Sequence, residues 1–120
     1  MCHVRRANPS GDGMETATFA AAVVHLDPVE RKNLYHFRPG LKVLTLAAPG
    51  CTFTCSYCIN HRLSQWGHLP ELPWAAGPVD PEELVDSAAG QGAAVGFSYT
   101  EPTLAAELVT AVATLARHRG

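Results

Sequence analysis

The length, composition and charge of the chain bound the class of protein to which it belongs. Its 120 residues correspond to one small domain, which excludes a multi-domain machine. Charged residues make up 17% of the chain, its lysines and arginines are scattered, and the formal net charge is -2, so we expect no nucleic-acid partner. Because no uninterrupted apolar stretch approaches the roughly 18 residues of a membrane span, we expect no membrane partner either.

The first part of the chain is predicted to be a tail followed by a lead-in segment. Residues 1–18 are rich in turn-forming residues and show neither helical nor strand periodicity, so we expect a loop. Residues 19–26 (FAAAVVHL) predict a short strand, which Asp27 and Pro28 end. We therefore assign residues 1–40 to the tail and lead-in segment.

Residues 41–120 are predicted to form the core. A nearly continuous aliphatic and β-branched run at 41–48 (LKVLTLAA) predicts a strand covered on both faces. Residues 60–79 contain three prolines and lack periodicity, so we expect mainly loop. Asp80 then provides an N-cap for a helix with proline at its first position, and this helix is expected to end near Gly90.

The end of the chain continues this alternation. Residues 93–99 predict a second strand, and residues 103–118 carry leucine and valine at helical spacing. Strand, loop, helix, strand and helix in this order are typical of an α/β fold with parallel strands. Two such strands and two helices bury too little surface to be stable alone, so we expect a truncated core or one that depends on a partner.

The strongest chemical signal is a cluster of three cysteines in the loop that follows the first core strand. Cys51, Cys55 and Cys58 are spaced C-x3-C-x2-C. Three thiolates can bind three irons of a 4Fe-4S cluster and leave the fourth iron open for another ligand. Phe53 and Tyr57 lie between these cysteines and are expected to form an apolar shell around the cluster. Such grouped thiols favour a reducing cytoplasm over an oxidising compartment.

Three other interpretations of this segment stay open. His61 follows Cys58 by three residues and completes a Cys3His set for a small zinc-binding module. A second interpretation is that the three cysteines are partly buried free thiols that bind no metal. A third interpretation is that the chain is an inactive, truncated remnant.

Three blocks of sequence resemble the radical S-adenosylmethionine (radical SAM) superfamily. They are residues 26–40 (LDPVERKNLYHFRPG), 49–60 (PGCTFTCSYCIN) and 97–103 (FSYTEPT). The match is similar to the branch of pyruvate formate-lyase activating enzymes, and within it to the radical SAM proteins of the AmmeMemoRadiSam system. The chain departs from that branch at Ile59, where glutamine is usual, and at Thr100, where asparagine is usual.

The resemblance implies a fold and a set of ligands. The fold is the N-terminal part of a partial (β/α)6 barrel with parallel strands, in which Cys51, Cys55 and Cys58 ligate the cluster. The motif at 99–101 would contact SAM, so Tyr99 and Thr100 are candidate SAM-binding residues, and Glu101 is expected to bind the SAM amino group. Tyr57 and Asn60 are further candidates for SAM contacts.

The resemblance also implies a reaction. One electron cleaves SAM reductively to methionine and a 5'-deoxyadenosyl radical, which abstracts hydrogen from a substrate. Such a protein activates or modifies a partner protein or small substrate and needs an external electron donor. Because the later strands of the barrel complete this pocket, the resemblance further implies that a missing C-terminal half or a partner protein supplies them.

Overall fold

The computed structural model describes residues 4–16, 19–66, 68 and 76–120, and the first residues, which include Cys2, lie outside this part. The strands of the described part are β1 (Arg5–Ala7), β2 (Met14–Thr16), β3 (Ala20–Ala21), β4 (Val23–Pro28), β5 (Lys42–Ala47), β6 (Gly77–Pro78) and β7 (Ala93–Phe97). Its α-helices are α1 (His61–Ser64), α2 (Pro81–Gly90) and α3 (Ala106–Arg119), and 3-10 helices span Val29–Lys32 and Pro102–Ala105.

The central sheet has three strands in the order β4-β5-β7. Strand β5 is in the middle and is buried from Val43 to Ala47, as its continuous apolar run predicts. It pairs with β7 in parallel, with Leu44 opposite Val95. It pairs with β4 in the antiparallel direction, with Leu26 opposite Leu44.

Helices α2 and α3 pack together and against β7, and they cover the core. Helix α2 begins as predicted, because the Asp80 carboxylate accepts a hydrogen bond of 2.7 Å from the Glu82 backbone N–H. The fully buried Leu46, Leu108 and Val112 lie at the centre of the core. None of the helices in the described part is long and apolar enough to cross a membrane.

The prediction of part of a parallel (β/α)6 barrel is wrong. The described strands form three short sheets, of which β1-β2 and β3-β6 are antiparallel pairs and β4-β5-β7 is mixed. The reason for the mixed sheet lies in residues 29–41, which reverse the chain between β4 and β5 through a 3-10 helix and left-handed backbone at Asn33, Arg38 and Gly40. A connection of this kind returns the chain antiparallel, whereas a parallel pair needs a crossover.

The prediction of a loop over residues 1–18 is also wrong for the described strands Arg5–Ala7 and Met14–Thr16. Strands β1 and β2 form a hairpin in which Arg5 is opposite Thr16, and its turn is closed by a hydrogen bond of 3.0 Å from the Asn8 backbone N–H to the Gly13 carbonyl. The hairpin is attached to α3, because Glu107 accepts hydrogen bonds from Arg5 and Thr16. Residues 17 and 18 lie outside the described residues.

Candidate functional site

The cysteine loop, residues 48–60, leaves the carboxyl end of β5 and is held at its base by two hydrogen bonds. The Gly50 backbone N–H donates to the Leu63 carbonyl at 3.0 Å. The Thr100 hydroxyl donates to the Ala48 carbonyl at 2.7 Å, so the residues after β7 hold the start of this loop. Between these attachments and α1 the loop is largely open to solvent.

The three candidate cluster ligands lie on this open loop as free thiols. Cys55 is exposed, and Cys51 and Cys58 are half-buried. The Phe53 backbone N–H approaches the Cys51 sulfur at 3.5 Å, and the Cys58 thiol donates to the Ser64 hydroxyl at 3.7 Å. Hydrogen bonds to sulfur tune the potential of iron–sulfur clusters, so the first of these contacts suits a ligating thiolate.

The donor types fit a cluster, although the sulfurs are not gathered. Across residues 4–16, 19–66, 68 and 76–120, no three His, Cys, Asp or Glu side chains are arranged so that they could hold a metal ion. Three thiols within eight residues are nevertheless the donor set that iron–sulfur clusters use. Cluster binding therefore requires the loop to bring the three sulfurs together.

The predicted apolar shell around the cysteines is absent from the folded loop. The side chains of Phe53 and Tyr57 are exposed, at 58% and 87% of their surface, and Ile59 is exposed as well. Tyr57, a candidate SAM contact, therefore faces solvent. Burial of apolar groups of this size contributes about 2 kcal/mol each, and the folded loop does not gain this contribution.

The motif at residues 99–101 follows β7 and sends its side chains to three different places. Tyr99 has a left-handed backbone with φ of 73° and contacts the residues of β4. The Thr100 side chain reaches back to the start of the cysteine loop. Glu101 caps the following 3-10 helix, because its carboxylate accepts hydrogen bonds from the hydroxyl and the backbone N–H of Thr103 at 2.8 and 3.1 Å. These bonds lower the pKa of Glu101.

A cavity of about 350 Å³ lies between the cysteine loop and the central sheet. It is lined by residues 59–63, by Val23 and His25 of β4, by Arg31 and by Tyr99. Two of the five candidate SAM-binding residues, Asn60 and Tyr99, therefore share one cavity. The other three, Tyr57, Thr100 and Glu101, are not among its lining residues.

Behind the wall of this cavity lies the buried carboxylate of Asp27, which the sequence pattern predicts only as the end of a strand. Asp27 is 1% exposed in its side chain. Its Oδ2 atom accepts a hydrogen bond of 2.9 Å from the Tyr99 hydroxyl and lies 3.2 Å from Lys32 Nζ and 3.0 Å from His25 Nε2. Its Oδ1 atom pairs with Arg31 at 3.1 Å.

Opposing effects act on the ionisation of Asp27. Burial raises its pKa, but the hydrogen bonds from Tyr99 and Lys32 and the charges of His25 and Lys32 outweigh this effect and lower it. Lys32 also lies 4.5 Å above the Tyr99 ring, and the His25 ring is stacked on the same tyrosine with the ring centroids 6.1 Å apart. Asp27 is therefore a charged hub that fixes the side chains around it.

Part of this hub has a signal in the sequence. His25 and Asp27 are two residues apart on a strand and so share one face, and Arg31 follows Asp27 at a spacing that allows an ion pair. Tyr99 has no such signal, because it follows β7 and lies 72 residues after Asp27 in the chain.

Comparisons with known proteins add one relative. The chain is 36% identical over 96 residues to an uncharacterized protein of Methanocaldococcus jannaschii. The match covers 79% of this chain and 28% of that protein, so the chain spans well under half the length of the curated relative that it matches. No protein-family model matches the chain. No solved structure matches it.

Proposed function

We propose that the chain binds a 4Fe-4S cluster through Cys51, Cys55 and Cys58 and uses it with SAM to generate a 5'-deoxyadenosyl radical that activates or modifies a substrate. The observation that supports this proposal best is where the cysteine loop starts. It follows the carboxyl end of β5, and the parallel strand β7 ends at the same edge of the sheet just before Tyr99. Sites of α/β proteins are found at the carboxyl ends of parallel strands.

Within this proposal Cys51, Cys55 and Cys58 would hold the cluster, and three protein ligands would leave it open to SAM. A cluster held by these cysteines would supply the chemistry of reductive SAM cleavage, in which one electron from an external donor would break the bond between sulfur and the 5'-carbon to give methionine and the 5'-deoxyadenosyl radical. The proposal therefore includes an external electron donor and a substrate, which is a small molecule or a partner protein. The proposal also includes a reducing cytoplasmic location, because reducing conditions keep the three thiols available.

Glu101 is the side chain that we assign to the SAM ammonium group. Its lowered pKa keeps it charged at neutral pH, and a carboxylate accepts strong hydrogen bonds from an ammonium group. Both hydrogen bonds that Thr103 donates to the Glu101 carboxylate are accepted by the same oxygen, Oε1. Asn60 and Tyr99, two further candidate SAM contacts, contribute polar groups to the lining of one cavity.

The proposal is tested by electron paramagnetic resonance of the reconstituted, reduced protein with and without SAM. We expect a 4Fe-4S signal that changes when SAM is added. Replacing Cys51, Cys55 or Cys58 by alanine should abolish the signal, and Cys2→Ala is the matched control that should retain it. Absence of bound iron, or a signal that does not change when SAM is added, would contradict the proposal.

Glu101→Gln separates SAM binding from folding. The glutamine oxygen still accepts from Thr103, so the cap persists, while the negative charge is lost. We expect an unchanged cluster signal and a lost response to SAM. A response equal to that of the unaltered protein would remove Glu101 from the SAM site.

The zinc module is distinguished by His61→Ala. His61 lines the cavity next to the loop, and it is not part of a gathered group of metal ligands in the described residues. Under the radical SAM proposal this variant still incorporates iron. Loss of zinc affinity in the variant, together with no iron binding in the unaltered protein, would favour the zinc module instead.

A further inference from the structure

The cavity between the cysteine loop and the sheet has a basic lining. Its polar lining residues are His25, Arg31, Asn60, His61, Arg62 and Tyr99. They come from β4, from the 3-10 helix that follows it, from α1 and its preceding residue, and from the end of β7. Within the described part of the chain, no aspartate or glutamate is among the lining residues. A ligand in this cavity thus meets hydrogen-bond donors and positive charge from several sides.

The buried carboxylate of Asp27 does not cancel this charge. Asp27 lies behind the wall with its side chain 1% exposed, and its two oxygens are engaged by Arg31, Lys32, His25 and Tyr99. Arg31 and Lys32 bring two fixed positive charges against this single negative charge. The surplus is positive, and it acts beside a low-dielectric sheet, where charges interact more strongly than in water.

Asp27 also determines where one of these cations lies. Its Oδ1 atom holds the Arg31 guanidinium by a 3.1 Å ion pair at the cavity wall, although 65% of the arginine side chain is exposed. A guanidinium has five N–H donors, so the pair leaves donors for a second oxyanion. The cation is therefore held in position before a ligand arrives, which reduces the entropic cost of binding.

The remaining lining suits the organic part of a small molecule. Val23, Ile59 and Leu63 are apolar, and they add a hydrophobic wall to the polar one. The volume of about 350 Å³ is near the lower end of the range for small-molecule sites. Ile59 follows Cys58 directly, so the cavity adjoins the last cysteine of the loop.

We propose that this cavity binds the carboxylate or phosphate group of a small organic anion, which is the substrate of the cysteine-loop site. Arg31 and Arg62 bind the oxyanion, His25 and Asn60 add polar contacts, and the apolar wall holds the carbon skeleton. That the anion is the substrate rests on the proposed function. Anion binding itself does not, because none of these residues is a cluster ligand.

The first experiment uses the full chain without iron, so that its outcome is independent of the cluster. Succinate and glycerol 3-phosphate are titrated at neutral pH and followed by amide-resolved NMR, with succinamide and glycerol as uncharged analogues. We expect at least one anion to shift the amide signals of residues 59–63 and to bind about tenfold more tightly than its analogue. Preference for succinate or for glycerol 3-phosphate tells which oxyanion fits. Binding no tighter than that of the analogues would overturn the proposal.

Substitutions locate the site. Arg62→Gln removes one exposed charge and should weaken anion binding about tenfold, while Arg62→Lys, which keeps the charge, should weaken it less. Arg117→Gln removes an exposed charge from the last turn of α3 and is the matched control, with no expected effect. Equal effects of Arg62→Gln and Arg117→Gln would show unspecific attraction by surface charge and overturn the proposal.

A second experiment asks whether the anion is the substrate or whether SAM occupies the cavity with its own carboxylate. The titration with the tighter anion is repeated on the reconstituted protein with SAM present. Simultaneous binding is expected for a substrate. If the anion and SAM exclude each other, the cavity is assigned to SAM, and the substrate role of the anion is overturned. A chain that binds the anion but forms no cluster would refute the proposed function and the substrate role, and it would leave the anion site standing.

Discussion

Replacing Asp27 by asparagine tests the buried hub most directly. The substitution keeps the size of the side chain and removes its charge. Lys32, which is 14% exposed, then faces a neutral amide instead of a carboxylate. The Tyr99 hydroxyl keeps an acceptor, but a weaker one. The variant therefore isolates the electrostatic part of the hub.

The magnitude follows from how deeply each partner is buried. Removing one member of a buried ion pair costs about 3 to 5 kcal/mol. Arg31 and His25 are 65% and 39% exposed, so water screens their charges and the lower end of this range applies. With an unfolding entropy of about 2.1 cal/mol/K per residue over 120 residues, a loss of about 3 kcal/mol lowers Tm by about 12 °C.

The assay is thermal unfolding followed by circular dichroism at neutral pH. Asp86→Asn is the matched control, because Asp86 pairs with Arg119 at the surface and its loss should shift Tm by about 2 °C or less. Adding Lys32→Met to Asp27→Asn should cost less than Lys32→Met alone, since the lysine has already lost its counter-charge. Equal Tm shifts for Asp27→Asn and Asp86→Asn would refute the assignment of Asp27 as a charged hub.

Two further predictions concern the hairpin and the sheet. Hydrogen bonding from Thr16, opposed by burial and aided by Arg5, lowers the pKa of Glu107 from 4.5 to about 2, so its contribution to stability is present above pH 4.5 and is lost as the pH falls toward about 2. Guanidinium unfolding at several pH values should show this loss, and Glu107→Gln should reduce it; an unaltered pH profile in the variant would contradict the assignment. Gly96→Ala places a Cβ 2.9 Å from Val43 Cγ1 and should destabilise by about 1 to 3 kcal/mol, whereas Gly90→Ala meets no atom within 4 Å and should be neutral or slightly stabilising. Equal stability of the two alanine variants would show that the sheet yields at this position.

The local elements of the core could be predicted from the sequence because their signals are local. The aliphatic run at residues 41–48 gives β5, and Asp80 with the following proline gives the start of α2. The direction of β4 could not be predicted, since it depends on how residues 29–41 reverse the chain. The strands of the N-terminal hairpin are three residues each, too short to show a period.

The candidate site likewise has one part that the sequence predicts and another that only the folded structure shows. The cysteine spacing is visible in the sequence, and the structure adds the attachment of the loop through Gly50 and Thr100. The hub around Asp27 could be found only in part, because its members come from β4, a 3-10 helix and the end of β7. Contacts of this sequence separation are set by tertiary packing, which no local pattern reports.

Asp27 and the cysteine loop are connected through three consecutive residues. The hub holds the Tyr99 side chain against β4, while the left-handed backbone of this residue turns the chain at the end of β7. A left-handed tyrosine costs about 1 to 2 kcal/mol and persists only where its surroundings enforce it. The turn lets Thr100 bind the carbonyl of Ala48, three residues before Cys51, and directs Glu101 into its cap. A carboxylate that contacts no cysteine therefore helps to determine where the cysteine loop begins and where Glu101 lies.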